Sequence, residues 1–419
     1  MKDFLKVYIP IALLIAAGFA LAYRFIDPAP PSHLRIAAGA PGGGYDQYAE
    51  NLKAVLARDG ITLDVLPTAG SLQNLTLLGA PRSGVDLALV QGGTGNPDAM
   101  PALRSIASLY YEPIWLFVRG APPDRLSALK GRRIAMGADG SGTREVAAEL
   151  LAASGVDNDN AVFVALGGKD AAAALKAGRV DAVFLVTSLR DPTVADLGLS
   201  PGVSLVNLAQ AQAYARTFRF LSVVSLPKGM INLEKNVPAQ DISLLAPAAA
   251  LVSRSSLHPA LVDLLIEATR AISGPGDEFA EPEEFPSAGH LDFPLTSEAK
   301  RALANGPNFL RRYLPFWAAV LVQRMWILIL PLLTLMIPLV RMAPPTYRWQ
   351  VRRRILHQYR ELRRIEVGAR DIRRPEAREM ALKALDRLQA DTGRLQIPNA
   401  FAEDLYHLRQ HIDFVKRTL

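Results

Sequence analysis

Val7 to Ala22 is a run of sixteen residues without a charged side chain, entered after Lys2 and Lys6 and flanked by Phe4, Leu5, Tyr23 and Phe25. About 20 apolar residues cross a hydrocarbon core, so residues 4–26 are long enough to be a membrane span. The Ala20-Leu21-Ala22 end also fits a signal-peptidase site, and an uncleaved anchor is the expectation. A second apolar stretch, 325–340, carries Pro331 and Pro338 and follows the group Tyr313-Leu314-Pro315-Phe316-Trp317 and Arg324. Aromatic side chains suit a membrane interface, and an arginine near the end of a span snorkels to the headgroups. Arg341, Arg348, Arg352, Arg353 and Arg354 come next. Basic residues mark the cytoplasmic side, so both ends of the chain are expected inside and the 280-odd residues between the spans outside. The mean hydropathy of +0.14 is high for a wholly soluble protein, and these two stretches account for it.

Charge follows the same division. Residues 341–419 hold 18 Lys/Arg against 10 Asp/Glu, while the whole chain is +7, so the remainder sums to −1. Basicity confined to the segment after a span is a topology signal, and no nucleic-acid partner is expected. There is no cysteine. Disulfides, cysteine zinc sites and thiol nucleophiles are therefore excluded.

Residues 27–33, with Pro28, Pro30 and Pro31, read as a stiff linker. From residue 34 to about 312, short apolar runs alternate with glycine-bounded helical segments, the order of α/β layers with largely parallel sheets. Expected strands are 34–38, 62–66, 85–90, 105–109, 114–118, 133–136, 161–164, 182–186 and 221–225, with helices over 141–153 and 170–177. Residues 119–219 repeat the strand, glycine turn, helix logic of the opening block, which predicts a second lobe inserted into the first and a cleft between them. Residues 313–340 form the interfacial segment and second span, and 341–419 a basic cytoplasmic helical tail. In that tail Ile355, Tyr359 and Leu362, then Phe401, Leu405, Leu408, Ile412, Val415 and Leu419, follow helical three/four spacing. Arg373-Arg374-Pro375 interrupts it, so a helical hairpin or a tail-mediated dimer is expected rather than one rod. The tail arginines read as a solvated face, with lipid headgroup contact the alternative.

Four strand-to-helix turns carry the chemistry. Gly39-Ala40-Pro41-Gly42-Gly43-Gly44-Tyr45 opens a helix, where backbone amides favour an anion, and it matches neither G-x-G-x-x-G nor a Walker loop. Thr68-Ala69-Gly70-Ser71 with Asn74 is a second such turn and Asp139-Gly140-Ser141-Gly142-Thr143 a third; helix capping alone explains each of them as well. Gln91-Gly92-Gly93-Thr94-Gly95 ends an apolar strand at a sheet's carboxyl edge, where open α/β folds bind ligands. Together they predict one cleft. No serine carries a G-x-S-x-G context, His33, His258 and His290 lie in linker or helix-start contexts, and His258-Pro259 reads as a helix start. Glu281, Glu283 and Glu284 read as an exposed acidic loop. An enzyme is not expected, nor is a metal or cofactor.

The ordered set Gly42-Gly43-Gly44-Tyr45, Thr68-Ala69-Gly70-Ser71 with Asn74, Asp86 to Gln91, Gly140-Ser141-Gly142-Thr143, Asn236 to Asp241 and Leu257 to Leu261 resembles the TAXI family of TRAP-transporter solute-binding proteins. The likeness runs from Leu34 to about Ile365, and Arg312 to Trp317 with Tyr347-Arg348-Trp349 resembles the membrane-anchored branch. The resemblance implies an α/β, two-lobed periplasmic-binding-protein-like ectodomain with two transmembrane helices and a helical cytoplasmic tail. It implies a receptor that closes on a small anionic solute, glutamate-like or a dicarboxylate, and passes it to separate TRAP-type permease subunits. Amides at Gly43, Gly44, Ser141 and Gly142 would then hold a carboxylate, with Tyr45, Ser71, Asn74, Gln91 and Thr143 orienting it. Thr187 to Pro192 lacks the glycine-proline turn of the soluble relatives, and Arg190 is expected to replace it. The alternative expectation is a membrane-anchored solute sensor or scaffold that signals through the tail.

Overall fold

In the computed structural model, residues 9, 13, 15–18, 20, 29–306, 309–369, 375–395 and 399–419 are described. They fall into two compact units, Ala29–Val320 and the described parts of Met1–Pro28 with Leu321–Leu419.

The first unit opens with β1 (His33–Ala37), α1 (Gly44–Leu56), β2 (Thr62–Leu66), α2 (Ser71–Gly79), β3 (Leu87–Gln91) and β4 (Leu103–Tyr111). His33 thus belongs to a strand, not to the linker. The chain then builds β5 (Ile114–Arg119), β6 (Arg133–Ala135), α3 (Gly142–Ala153), β7 (Val162–Val164), α4 (Gly168–Lys176), β8 (Ala182–Val186), α5 (Pro192–Gly198), β9 (Val203–Leu205) and α6 (Ala211–Thr217). It returns through β10 (Leu221–Leu226) and β11 (Ile242–Arg254), then α7 (Pro259–Ser273) and α8 (Ser297–Asn305).

Both sheets are mixed rather than largely parallel. In lobe one β1 lies parallel to β2 and β3, and β11 runs antiparallel between β3 and β4. In lobe two β6 is parallel to β7 and β8, while β5 is antiparallel to β8 and β9. The second lobe therefore starts with β5, at Ile114, a few residues before the expected boundary. Strand β11, thirteen residues long, was not among the expected strands; Pro247 and the four alanines at 246, 248, 249 and 250 give it little strand propensity. It joins the lobes. Its first half pairs with β10, its second half with β3 and β4.

Alternation decides the packing of lobe two. On β5, Leu116 and Val118 join Ile134, Leu150 and Phe184 on one face of the sheet, while Trp115 and Phe117 join Leu175, Val183 and Leu197 on the other. Both faces are covered, which is why the strand reads as an unbroken apolar run. Each such fully buried side chain stabilises the fold by about 1.5–3 kcal/mol. In lobe one Ile36, Leu52, Leu63, Leu89, Leu251 and Leu265 form the corresponding core. His258 caps α7, its Nδ1 accepting from Ala260 N at 3.1 Å, as the His258-Pro259 pair predicts. Phe316 is buried in the lobe-one core and Trp317 Nε1 donates to the Asp59 carbonyl at 2.8 Å, so these two aromatics hold the edge of the first unit. Glu284 of the acidic loop accepts from the Tyr111 hydroxyl at 2.8 Å.

The remaining helices are α9 (Phe316–Ala369), α10 (Pro375–Arg394) and α11 (Ala402–Thr418). In the second unit Val351, Ile355, Leu362, Leu385, Leu388, Leu408, Ile412 and Val415 are buried together, so the apolar seam of the tail is filled within one chain. The first expected span, 4–26, falls almost wholly outside the described residues. The second, 325–340, lies within α9, with much of its side-chain detail likewise outside them. Among the described residues no helix is long and apolar enough to cross a membrane.

Candidate functional site

Eight of the ten expected site residues line one cavity of about 170 Å³: Gly43, Gly44, Tyr45, Ser71, Gln91, Ser141, Gly142 and Thr143. The N-termini of α1, α2 and α3 meet there, because each begins at the carboxyl edge of its sheet. The first four amides of a helix have no intrahelical acceptor and carry the positive end of its dipole. Not all of them face a ligand. Gly43 N donates to the Ala40 carbonyl at 2.9 Å and Ser141 N to the Ala138 carbonyl at 3.2 Å, so those two amides close their own turns. That leaves the α1 and α3 termini to present Gly44 and Gly142.

Ser71 and Ser141 are likewise engaged. The Ser71 hydroxyl accepts from Gln91 N at 2.9 Å, pinning α2 to the end of β3. Ser141 Oγ donates to the Ala138 carbonyl at 2.7 Å and caps α3 through Arg144 N at 3.4 Å. Gln91 then spans the two lobes, its Nε2 donating to the Gly142 carbonyl at 3.1 Å. A Cβ on Gly142 would stand 2.7 Å from Gln91 Oε1, so only glycine permits this approach.

Two expected residues are elsewhere. Asn74 is fully buried beneath the cavity floor, where its Nδ2 donates to the carbonyls of Ala38 and Leu89, the latter at 2.7 Å. It ties β1 to β3 instead of facing a solute. Arg190 projects outward, its side chain 81% exposed, and pairs with Glu278 at 2.6 Å. The glycine turn after Gln91 is also occupied: the Asp292 carboxylate accepts from Gly93 N at 3.0 Å and Gly95 N at 2.8 Å. Burial raises the Asp292 pKa, and these amides oppose the rise.

Sequence reasoning missed Glu112. It sits in the two-residue connection from β4 to β5, is 9% exposed, and its Oε2 accepts from the Tyr45 hydroxyl at 2.8 Å. Desolvation pushes its carboxyl up to about 8, with the Tyr45 hydrogen bond pulling the other way. Burial, then Glu112 and Tyr110, in turn drive the Tyr45 phenol well up. Tyr110 lines the same cavity; its hydroxyl is buried and has no hydrogen-bond partner among the described residues. The signal was present: an acid between two apolar runs, Ser105–Leu109 and Ile114–Val118, has nowhere to go but inside. Among the described residues no histidine or lysine lines the cavity and no group of three metal-binding side chains occurs.

The NMT1-like family model matches residues 36–269, which include every strand but the first three residues of β1 and every cavity residue named above. Among solved structures, a protein of Bordetella bronchiseptica RB50 is 20% identical over 65% of this chain and 80% of its own, with a TM-score of 0.40. The periplasmic aliphatic sulphonate binding protein SsuA of Escherichia coli is 17% identical over 57% and 69%, at 0.36. An ancestral arginine-binding protein is 16% identical over 58% and 92%, at 0.38. The first unit is thus a mixed α/β structure of two sheets with the cavity between them. With its family model spanning both lobes and more than half of its length, this chain belongs to the NMT1-like family.

Proposed function

We propose that the protein is the extracytoplasmic solute receptor of a TRAP-type transporter of the TAXI kind, binding a small carboxylate between its lobes and delivering it to a separate permease. The observation that carries this reading is the convergence of three helix N-termini on a cavity of about 170 Å³, bridged by the Gln91–Gly142 bond. That volume is well below the ~300–1,000 Å³ of drug-sized sites and selects a small solute. Helix N-termini supply the charge complementarity for a carboxylate without a dedicated arginine. In this reading the apolar stretches 4–26 and 325–340 anchor the chain, the two lobes stand in the periplasm, and the basic tail lies in the cytoplasm.

Thermal unfolding of the full chain in detergent, against amino acids, keto acids and dicarboxylates, tests it. A solute that binds only the native state at 100 times its Kd adds about 2.7 kcal/mol of stability. Ser141→Trp fills the cavity from a cap position and should remove that gain while leaving the unliganded transition in place. A full gain retained in this variant would show that the solute binds elsewhere.

A further inference from the structure

The cavity's charge map is lopsided in an informative way. Of the side chains lining it only Glu112 is ionisable in the ordinary pH range, and no lysine, arginine or histidine is among them. A dicarboxylate closing into this space would meet the partial positive charges of three helix ends and, beside the first of them, a carboxyl of its own sign. Among the described residues, Glu112 has no basic side chain within ion-pair distance, and a buried acid without a partner is costly unless something neutralises it. Beside it, the Tyr110 hydroxyl is buried and unpartnered, within 3.9 Å of where a Cβ on Gly44 would lie, which places it at the mouth of α1. The rings of Tyr45 and Tyr110 line the same space, and aromatic faces attract cations.

We propose that Glu112, Tyr45 and Tyr110 form a cation subsite, so that the solute is a zwitterion carrying an ammonium as well as a carboxylate. This rests on the solute-receptor reading and narrows it. The carboxylate lies at the Gly44 and Gly142 amides; the ammonium donates to Glu112 and to the Tyr110 oxygen. In the empty cavity burial keeps the proton on Glu112, and the arriving ammonium favours its release. The other ionisable groups acting on this cluster are Tyr48 and Asp277, both through Tyr110.

The test uses the full chain and matched probes that differ only by the amino group: L-glutamate with glutarate, L-aspartate with succinate, and L-leucine with 4-methylpentanoate. In the wild type the amino member of at least one pair should bind about 30-fold or more tightly than its partner, as expected when one half of a buried charge pair is missing. Glu112→Gln should abolish that preference. Tyr110→Phe removes a hydroxyl that has no partner among the described residues, so it should fold as the wild type does and still weaken the amino member. Binding of glutarate or succinate as tight as that of their amino counterparts would overturn the subsite and leave the receptor standing. So would an undiminished preference in a folded Glu112→Gln or Tyr110→Phe protein. Silence from all six probes would overturn the receptor reading and the subsite with it.

Discussion

Replacing Glu112 by glutamine should make the empty protein more stable than the wild type at alkaline pH and leave it nearly unchanged at acidic pH. Burial raises this carboxyl from about 4.5 to about 8. Between those values the unfolded chain has lost the proton and the folded chain still holds it. The folded state then binds more protons, so stability falls as pH rises. The contribution is fully present below about 4.5, is lost progressively up to about 8, and stays lost above that. A gap of about 3.5 pH units at about 1.36 kcal/mol each amounts to about 5 kcal/mol, an upper limit because local opening admits water. At roughly 2 °C per kcal/mol for a unit of this size, the two melting curves should separate by about 10 °C. Glutamine keeps the acceptor for the Tyr45 hydroxyl and never ionises, so it isolates the charge. Other groups move with pH as well: burial raises Glu149, Asp263, Asp277 and Asp292, while Arg133 holds Asp181 down at about 2. These are common to both proteins and cancel in the difference. Scanning calorimetry of solute-free wild type and variant from pH 4.5 to 9 measures it. A difference that stays constant across that range would refute the burial of an unpaired carboxyl at this position.

Gly142→Ala should force Gln91 aside, so that a solute which shifts the wild type binds roughly tenfold or more weakly; small-angle scattering should then show no compaction when it is added. Asp292→Ala leaves the Gly93 and Gly95 amides without their acceptor and should cost about 1–3 kcal/mol for each, read from urea unfolding of the full chain. Ile412→Ala opens a void among Ile355, Leu408 and Val415 in the helical unit and should cost that unit about 2–5 kcal/mol. Calorimetry should show that loss in the tail's transition while the transition of Ala29–Val320 holds its temperature.

Legibility in the sequence followed periodicity and turn chemistry. β2 and β8 appear at the expected residues, and the expected helices at Ser141 and Asp170 are α3 and α4 within two residues, because glycine turns and apolar runs mark them locally. The site's helix N-termini were readable for the same reason. What failed was non-local. β11 carries alanines and Pro247 where strands prefer branched residues, and it is held by pairing with three other strands rather than by its own propensity. Asn74 looked like a ligand contact because its turn is one, yet α2 rotates it under the floor to satisfy two strand carbonyls. Arg190 was expected to replace a glycine-proline turn absent from residues 187–192, and Glu278, 88 residues away in the chain, claims it. Glu112 escaped because it stands outside the glycine turns from which the site was read, although its place between two apolar runs marked it as buried.

The position of that link has a mechanical meaning. The chain passes from lobe one to lobe two between β4 and β5, at Glu112-Pro113, and returns along β11, and the two crossings are stitched together where Glu112 N donates to the Pro247 carbonyl at 2.8 Å. If the lobes swing, this seam is the fulcrum and Ser141-Gly142 the far end of the lever. A group on a fulcrum hardly travels. On the proposed receptor reading, Glu112 would then offer the same contact before and after closure, whereas the amides of α3 would arrive only with it. Capture would be ordered in time as a result, with the solute docking first on the stationary carboxyl and being enclosed afterwards by the moving helix end.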